Sequence, residues 1–83
     1  MTTAAKVADY LVIKGLKEDS PITNKRLQKL LYYIQAWHLA INESPLFDDK
    51  IEAWIHGPAI RAVYEEYKGY VASPIDKVSN AKI

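Results

Sequence analysis

The chain has 83 residues, of which 49% are apolar and 25% charged, with eleven basic residues against ten acidic ones and no cysteine. That leaves room for one domain whose small core buries about 60% of the unfolded surface, and the composition is too apolar for a disordered chain. Balanced charge excludes a general pull toward nucleic acid or anionic membrane, and the missing cysteines exclude a disulfide framework and any thiolate metal site.

The first apolar stretch, Tyr10 to Ile13, follows Asp9 and is too short for a signal-peptide core. No run approaches the roughly eighteen apolar residues of a membrane span. The expectation is a soluble protein in the cytoplasm.

From Thr3 to Lys17, Ala4, Val7, Ala8, Leu11, Val12 and Gly15 recur at helical spacing, with Lys6, Asp9 and Lys14 elsewhere. This predicts an amphipathic first helix, broken by Ser20 and Pro21. Thr23 offers a hydroxyl to cap a second helix over Asn24 to Asn42. There Leu27, Leu30, Leu31, Ile34, Trp37 and Ile41 fall within one sector. The opposite side starts with Lys25 and Lys29 and then turns to Tyr32, Ala36, Leu39 and Ala40, so the second half is apolar nearly all round. Such a helix is either central or an interface.

Glu43 to Asp49 reads as a loop with Leu46 and Phe47 tucked back as anchors. Ile51, Ala53 and Ile55 alternate with Glu52 and Trp54, the period of a short strand. Gly57 and Pro58 mark a sharp corner, with Pro58 suited to the first position of a third helix running from Ala59 to about Lys68. Its predicted inner face carries Ile60, Val63, Tyr64 and Tyr67, and Gly69 ends it. Residues 71–83, with Ser73, Pro74, Asp76, Lys77 and Ser79, show no period and read as linker or tail. The fold class expected is mainly α: a three-helix core around a central helix, with a short extended segment before the third helix.

The inventory for catalysis is thin, and the chain reads as a binding module rather than an enzyme. Ser44, His56 and Asp48 can be written as a triad, but no strand-turn-helix elbow surrounds the serine. His38, His56, Asp48 and Asp49 are acceptable metal ligands at spacings that match no short zinc or calcium motif. No metal or cofactor is therefore expected. His38 reads as a core histidine bonded to a neighbouring loop, and His56 as a starter of the third helix.

Lys25, Arg26 and Lys29 could meet phosphates in a helix-turn-helix regulator of transcription, the alternative function. Against it, Tyr32, Ala36 and Leu39 soon replace the polar side chains that base reading requires. The aromatic set points elsewhere. Tyr32, Tyr33, Trp37, Trp54, Tyr64, Tyr67 and Tyr70 are too many for three small helices to bury, and tyrosine and tryptophan are enriched at interface cores. Trp37, Tyr64 and Tyr67 are assigned to the core between the second and third helices. Tyr32 and Tyr33 cannot both face it.

The run ITNKRLQKLLYYIQAWHLA from Ile22 to Ala40, followed by PLFDDKIEAWIHGPAIRAVYEEY from Pro45 to Tyr67, resembles the phage-associated, Panacea-type antitoxins. The likeness extends from about Val7 to Tyr70. Leu27, Lys29, Leu30, Tyr32, Gln35, Trp37, Glu52, Trp54, Gly57 and Pro58 match as fold markers. The resemblance implies a module over residues 1–70 that binds a cognate toxin protein and neutralises it directly or delivers it to a protease as an adaptor. It also implies further helices after the third, so that the chain reads as the N-terminal part of such a domain, its second apolar side left to a partner or a homo-oligomer. The residues expected to dock on the toxin are Arg26, Lys29, Tyr33, Trp54, His56 and Tyr64.

Overall fold

A computed structural model describes residues 2–55, 57–70 and 73–76. His56, Lys77 and Ser79 therefore lie outside the described residues. The elements in order are α1 (Ala4–Lys17), α2 (Asn24–Asn42), β1 (Glu52–Trp54), β2 (Gly57–Ala59), α3 (Arg61–Glu66) and a 3₁₀ turn (Lys68–Tyr70). The fold is mainly α, with a two-stranded sheet in front of the third helix.

Capping sets the starts of the first two helices. The Thr3 hydroxyl accepts from the Lys6 amide at 3.2 Å, and the Thr23 hydroxyl from the Arg26 amide at 3.3 Å. Asp49 adds a long-range cap, its carboxylate accepting from the Ala4 amide at 2.9 Å. At the other end of α1 the chain reverses tightly, the Ser20 amide donating to the Gly15 carbonyl at 2.7 Å.

The core gathers Ala4, Ala8 and Val12 of α1, Leu27 and Leu31 of α2, and Phe47, Ile60, Val63, Tyr67 and Ile75. All the buried residues of α2 lie in its first half, among them the polar Asn24 and Gln28. The inward face is thus rotated from the sector that apolar spacing suggests. Leu30 and Ile34 are half-buried, Ile41 is exposed, and Trp37, expected in the core, is 68% exposed. Tyr67 is wholly buried as expected, its hydroxyl 2.6 Å from an Asp9 carboxylate oxygen.

Both polar residues are held. The Asn24 amide nitrogen donates to the carbonyls of Tyr64 at 3.3 Å and Tyr67 at 3.1 Å, the C-terminal end of α3. The Gln28 amide nitrogen donates to the Asn24 side-chain oxygen at 2.9 Å, while its own oxygen accepts from the Ile60 amide at 2.8 Å. One turn of α2 therefore satisfies both ends of α3, whose N-cap position has no side-chain cap of its own.

That contact also explains why the third helix is shorter than its periodicity predicts. Ile60 takes the extended N-cap conformation, its amide donating to Gln28 and its carbonyl accepting the first helical bond from the Tyr64 amide at 2.9 Å, so the helix runs from Arg61 rather than from Ala59. Pro58, expected in the first helical position, lies in β2 opposite Ala53, and Gly57 pairs with Trp54. Gly57 has φ 122, a conformation that glycine adopts without the Cβ penalty. At the far end Gly69 lies inside the 3₁₀ turn.

Gln35 does for the loop what Asn24 and Gln28 do for α3. Its oxygen accepts from the Leu46 amide at 2.8 Å and the Phe47 amide at 3.3 Å, and its nitrogen donates to the Phe47 carbonyl at 2.7 Å. Phe47 is thereby seated in the core as an anchor. His38 does bond the neighbouring loop, Nδ1 lying 2.8 Å from the Ser44 carbonyl, but it is half-buried rather than a core residue. From the stretch read as linker, Ile75 enters the core, and its amide donates to the Ile22 carbonyl at 2.8 Å.

Two stability outcomes follow. Asn24→Ala strands two carbonyls and the Gln28 amide, and should lower unfolding free energy by about 3 kcal/mol, read by urea denaturation; a loss below about 1 kcal/mol would remove this network from its central place. Gly15→Ala, which stabilises an ordinary helix by roughly 0.5–1 kcal/mol, should instead lower the melting temperature, because its Cβ would sit 2.8 Å from the Ser20 carbonyl oxygen.

Candidate partner-binding surface

The hairpin packs beside the first half of α2 and forms two adjoining recesses with it. The smaller, about 290 Å³, lies between Lys25, Gln28 and Lys29 of α2, the β2 residues Pro58 and Ala59, and Trp54 and Tyr64. The larger, about 470 Å³, runs along Lys29, Tyr32 and Tyr33 opposite Ile51, Glu52, Ala53 and Trp54. Lys29, Trp54, Gly57 and Pro58 line both.

Trp54, on the wall between them, is held from three directions. Its indole nitrogen donates to Glu52 Oε1 at 2.8 Å, the Arg61 guanidinium lies 5.3 Å over its ring, and Tyr64 meets it edge-on at 5.0 Å. Arg61 and Tyr64 are one turn apart on α3, so the amide contacts that fix α3 also fix the indole. Arg61 returns to Glu52 at 2.9 Å. The Trp54 indole N–H first, and then Arg61, hold the Glu52 carboxyl below the usual glutamate range.

Four of the expected docking residues come together here. Lys29, Trp54 and Tyr64 line the smaller recess, and Tyr33, 62% exposed, lines the larger with its ring 5.7 Å from that of Tyr32. Arg26 lines neither. It is exposed on the outer side of α2, seven residues before Tyr33 and eleven before Trp37, which places these three on one stripe. Lys25 and Lys29, four apart, share a different row, so the three basic residues do not form a single phosphate grip. His56 is outside the described residues.

Residues not counted among the expected docking set complete the surface: Tyr32, already in excess of what the core can hold, Ile51 and Pro58 as walls, Gln28 at the base, and Glu52 and Arg61 behind the indole. A charge pair bracketing a tryptophan was the available signal for the last two. Among the described residues no cluster of histidine, aspartate and glutamate could hold a metal ion, and no helix is long and apolar enough to cross a membrane.

The lowered acidity range of Glu52 has a sign. A carboxyl whose folded value is depressed keeps its charge in the folded chain as pH falls through the usual glutamate range; its stabilisation is full above that range, declines as pH falls below it, and is gone once pH has fallen through the folded value. In a Trp37→Phe background, Trp54 emission should stay constant through the usual range and change below it, and Glu52→Gln should abolish that transition. A transition centred within or above the usual range would contradict the arrangement.

The family model described as "Antitoxin SocA-like, Panacea domain" matches residues 27–83. The match thus begins inside α2, later than the Val7 start read from the sequence. Over 61 residues the chain is 41% identical to "Antitoxin SocA" of Caulobacter vibrioides, covering 74% of this chain and 32% of that protein. A second relative, "RNA-directed RNA polymerase" of Lolium latent virus, is 36% identical over 74 residues, 88% of this chain and 4% of that protein. The chain spans about a third of the first relative and a small part of the second. No solved structure matches it. With more than half its length matched by the family model and its LQKLLYY helix, EAW strand and Gly57–Pro58 strand within the matched residues, this chain belongs to the SocA-like antitoxin family with a Panacea domain.

Proposed function

We propose that the chain is a toxin-capturing module, a binding protein without catalytic chemistry of its own, which docks on a partner toxin through Lys29, Tyr33, Trp54 and Tyr64 and blocks it. The supporting observation is Trp54, locked by Glu52, Arg61 and Tyr64 at the junction of two recesses while Tyr33 stands open on the adjoining helix. An aromatic anchor ordered before binding loses little rotamer freedom on docking, so more of its contact area appears as affinity. Membership of an antitoxin family supplies the class of partner.

The test is co-expression of this chain with the product of the neighbouring reading frame, scored by growth. Rescue is expected. Tyr33→Ala and Trp54→Ala should each weaken the complex by about 2 kcal/mol, roughly 30-fold in affinity, whereas Glu65→Ala on an exposed side of α3 should leave it unchanged. Equal effects of all three variants would remove this surface. Toxin abundance separates two mechanisms: a constant level accords with blocking, and a level that falls only in protease-competent cells would replace blocking by delivery.

A further inference from the structure

The smaller recess carries more chemistry than aromatic contact alone. Its mouth holds Lys25 and Lys29, both exposed and neither in an ion pair among the described residues. Among the described residues no carboxylate lines it. At its base Gln28 is 5% exposed; one of its amide hydrogens goes to Asn24, and the other meets no acceptor among the described residues. Two exposed ammonium groups at the mouth and the buried Gln28 side chain at the base thus border a cleft whose walls are Trp54, Pro58, Ala59 and Tyr64.

We propose that this recess receives an extended acidic segment of the partner protein, an apolar side chain of that segment seating against Trp54 and Tyr64 while an adjacent carboxylate is paired by Lys25 and Lys29. The inference rests on the partner-capture reading and deepens it by naming the chemistry recognised. At about 290 Å³ the cleft is at the lower limit of small-molecule sites, roughly 300 Å³, and suits one or two side chains rather than a cofactor. It is continuous with the larger recess through Lys29 and Trp54, which gives an extended chain a path along the hairpin. A nucleic-acid strand fits less well: only two cations, Lys25 and Lys29, converge on the smaller recess, too few to follow a run of phosphates.

The experiment uses the isotope-labelled chain and capped synthetic pentapeptides in which one leucine or phenylalanine is flanked by aspartates, with lysine-flanked peptides and pentathymidylate as the contrasting probes. Aspartate peptides should move the Trp54 indole, Gly57 amide and Gln28 side-chain amide signals saturably, and the lysine peptides should not. Lys25→Ala/Lys29→Ala, both on exposed side chains, should weaken that binding at least fivefold with unchanged circular dichroism. The proposal is overturned if lysine peptides bind equally, if pentathymidylate binds in preference, if the shifts map to Trp37 and Ile41 instead, or if no saturable shift occurs. Failure of the unaltered chain to bind the aspartate peptides with intact toxin rescue sinks this inference alone; absent rescue with intact peptide binding sinks the toxin reading alone.

Discussion

The placement of the third helix, and with it of the indole on the wall of the two recesses, depends on two amide side chains, Asn24 and Gln28, buried one helical turn apart. A helix of only six residues cannot persist by itself, because the cost of nucleation exceeds what so few hydrogen bonds return. Here α2 supplies partners for the amide that precedes α3 and for the carbonyls at its end. Once α3 is fixed, Arg61 and Tyr64 are fixed, and they in turn hold Trp54. The chain of dependence runs from buried polar groups to a short helix to a surface indole, and apolar packing alone would not impose it, since it tolerates rotation of a helix that directed hydrogen bonds forbid.

The same helix treats its two halves differently. Its first half is covered by α1, α3 and the hairpin, and Gln35 then fastens the returning loop through Leu46 and Phe47. Beyond that point Trp37, Leu39 and Ile41 are exposed. The two recesses lie beside the covered half, where the backbone is held on several sides. Binding surfaces built on such supported elements keep their geometry better than surfaces on loops.

Much of this is legible in the sequence, and what is not depends on contacts between residues far apart in the chain. Thr23 as a cap, the bounds of α2, Phe47 as an anchor and the surplus of aromatic residues all follow from local rules that the structure obeys. Trp37 was assigned to the interior because apolar spacing was taken to define the inward face, whereas Asn24, Gln28 and Gln35 define it instead. Polar residues at spacings of four and seven along an apolar stripe are the trace of that arrangement, visible but easily read as solvated. The β2 strand leaves no clear local signal: Pro58 is compatible with either a helix start or a strand, and its pairing opposite Ala53 decides between them. Ile75 carries no periodic signal at all, since one residue returning to a core leaves no pattern.

The uneven cover of α2 bears on how the protein responds to temperature. The heat capacity change on unfolding scales with the apolar area that water newly reaches, and the outer half of this helix is already in contact with water before unfolding begins. Its increment is therefore smaller than chain length alone would give, and its free-energy curve correspondingly flatter, with hydrogen-bonded amides carrying a larger share of the cohesion than in a domain of the same size built around a closed apolar centre.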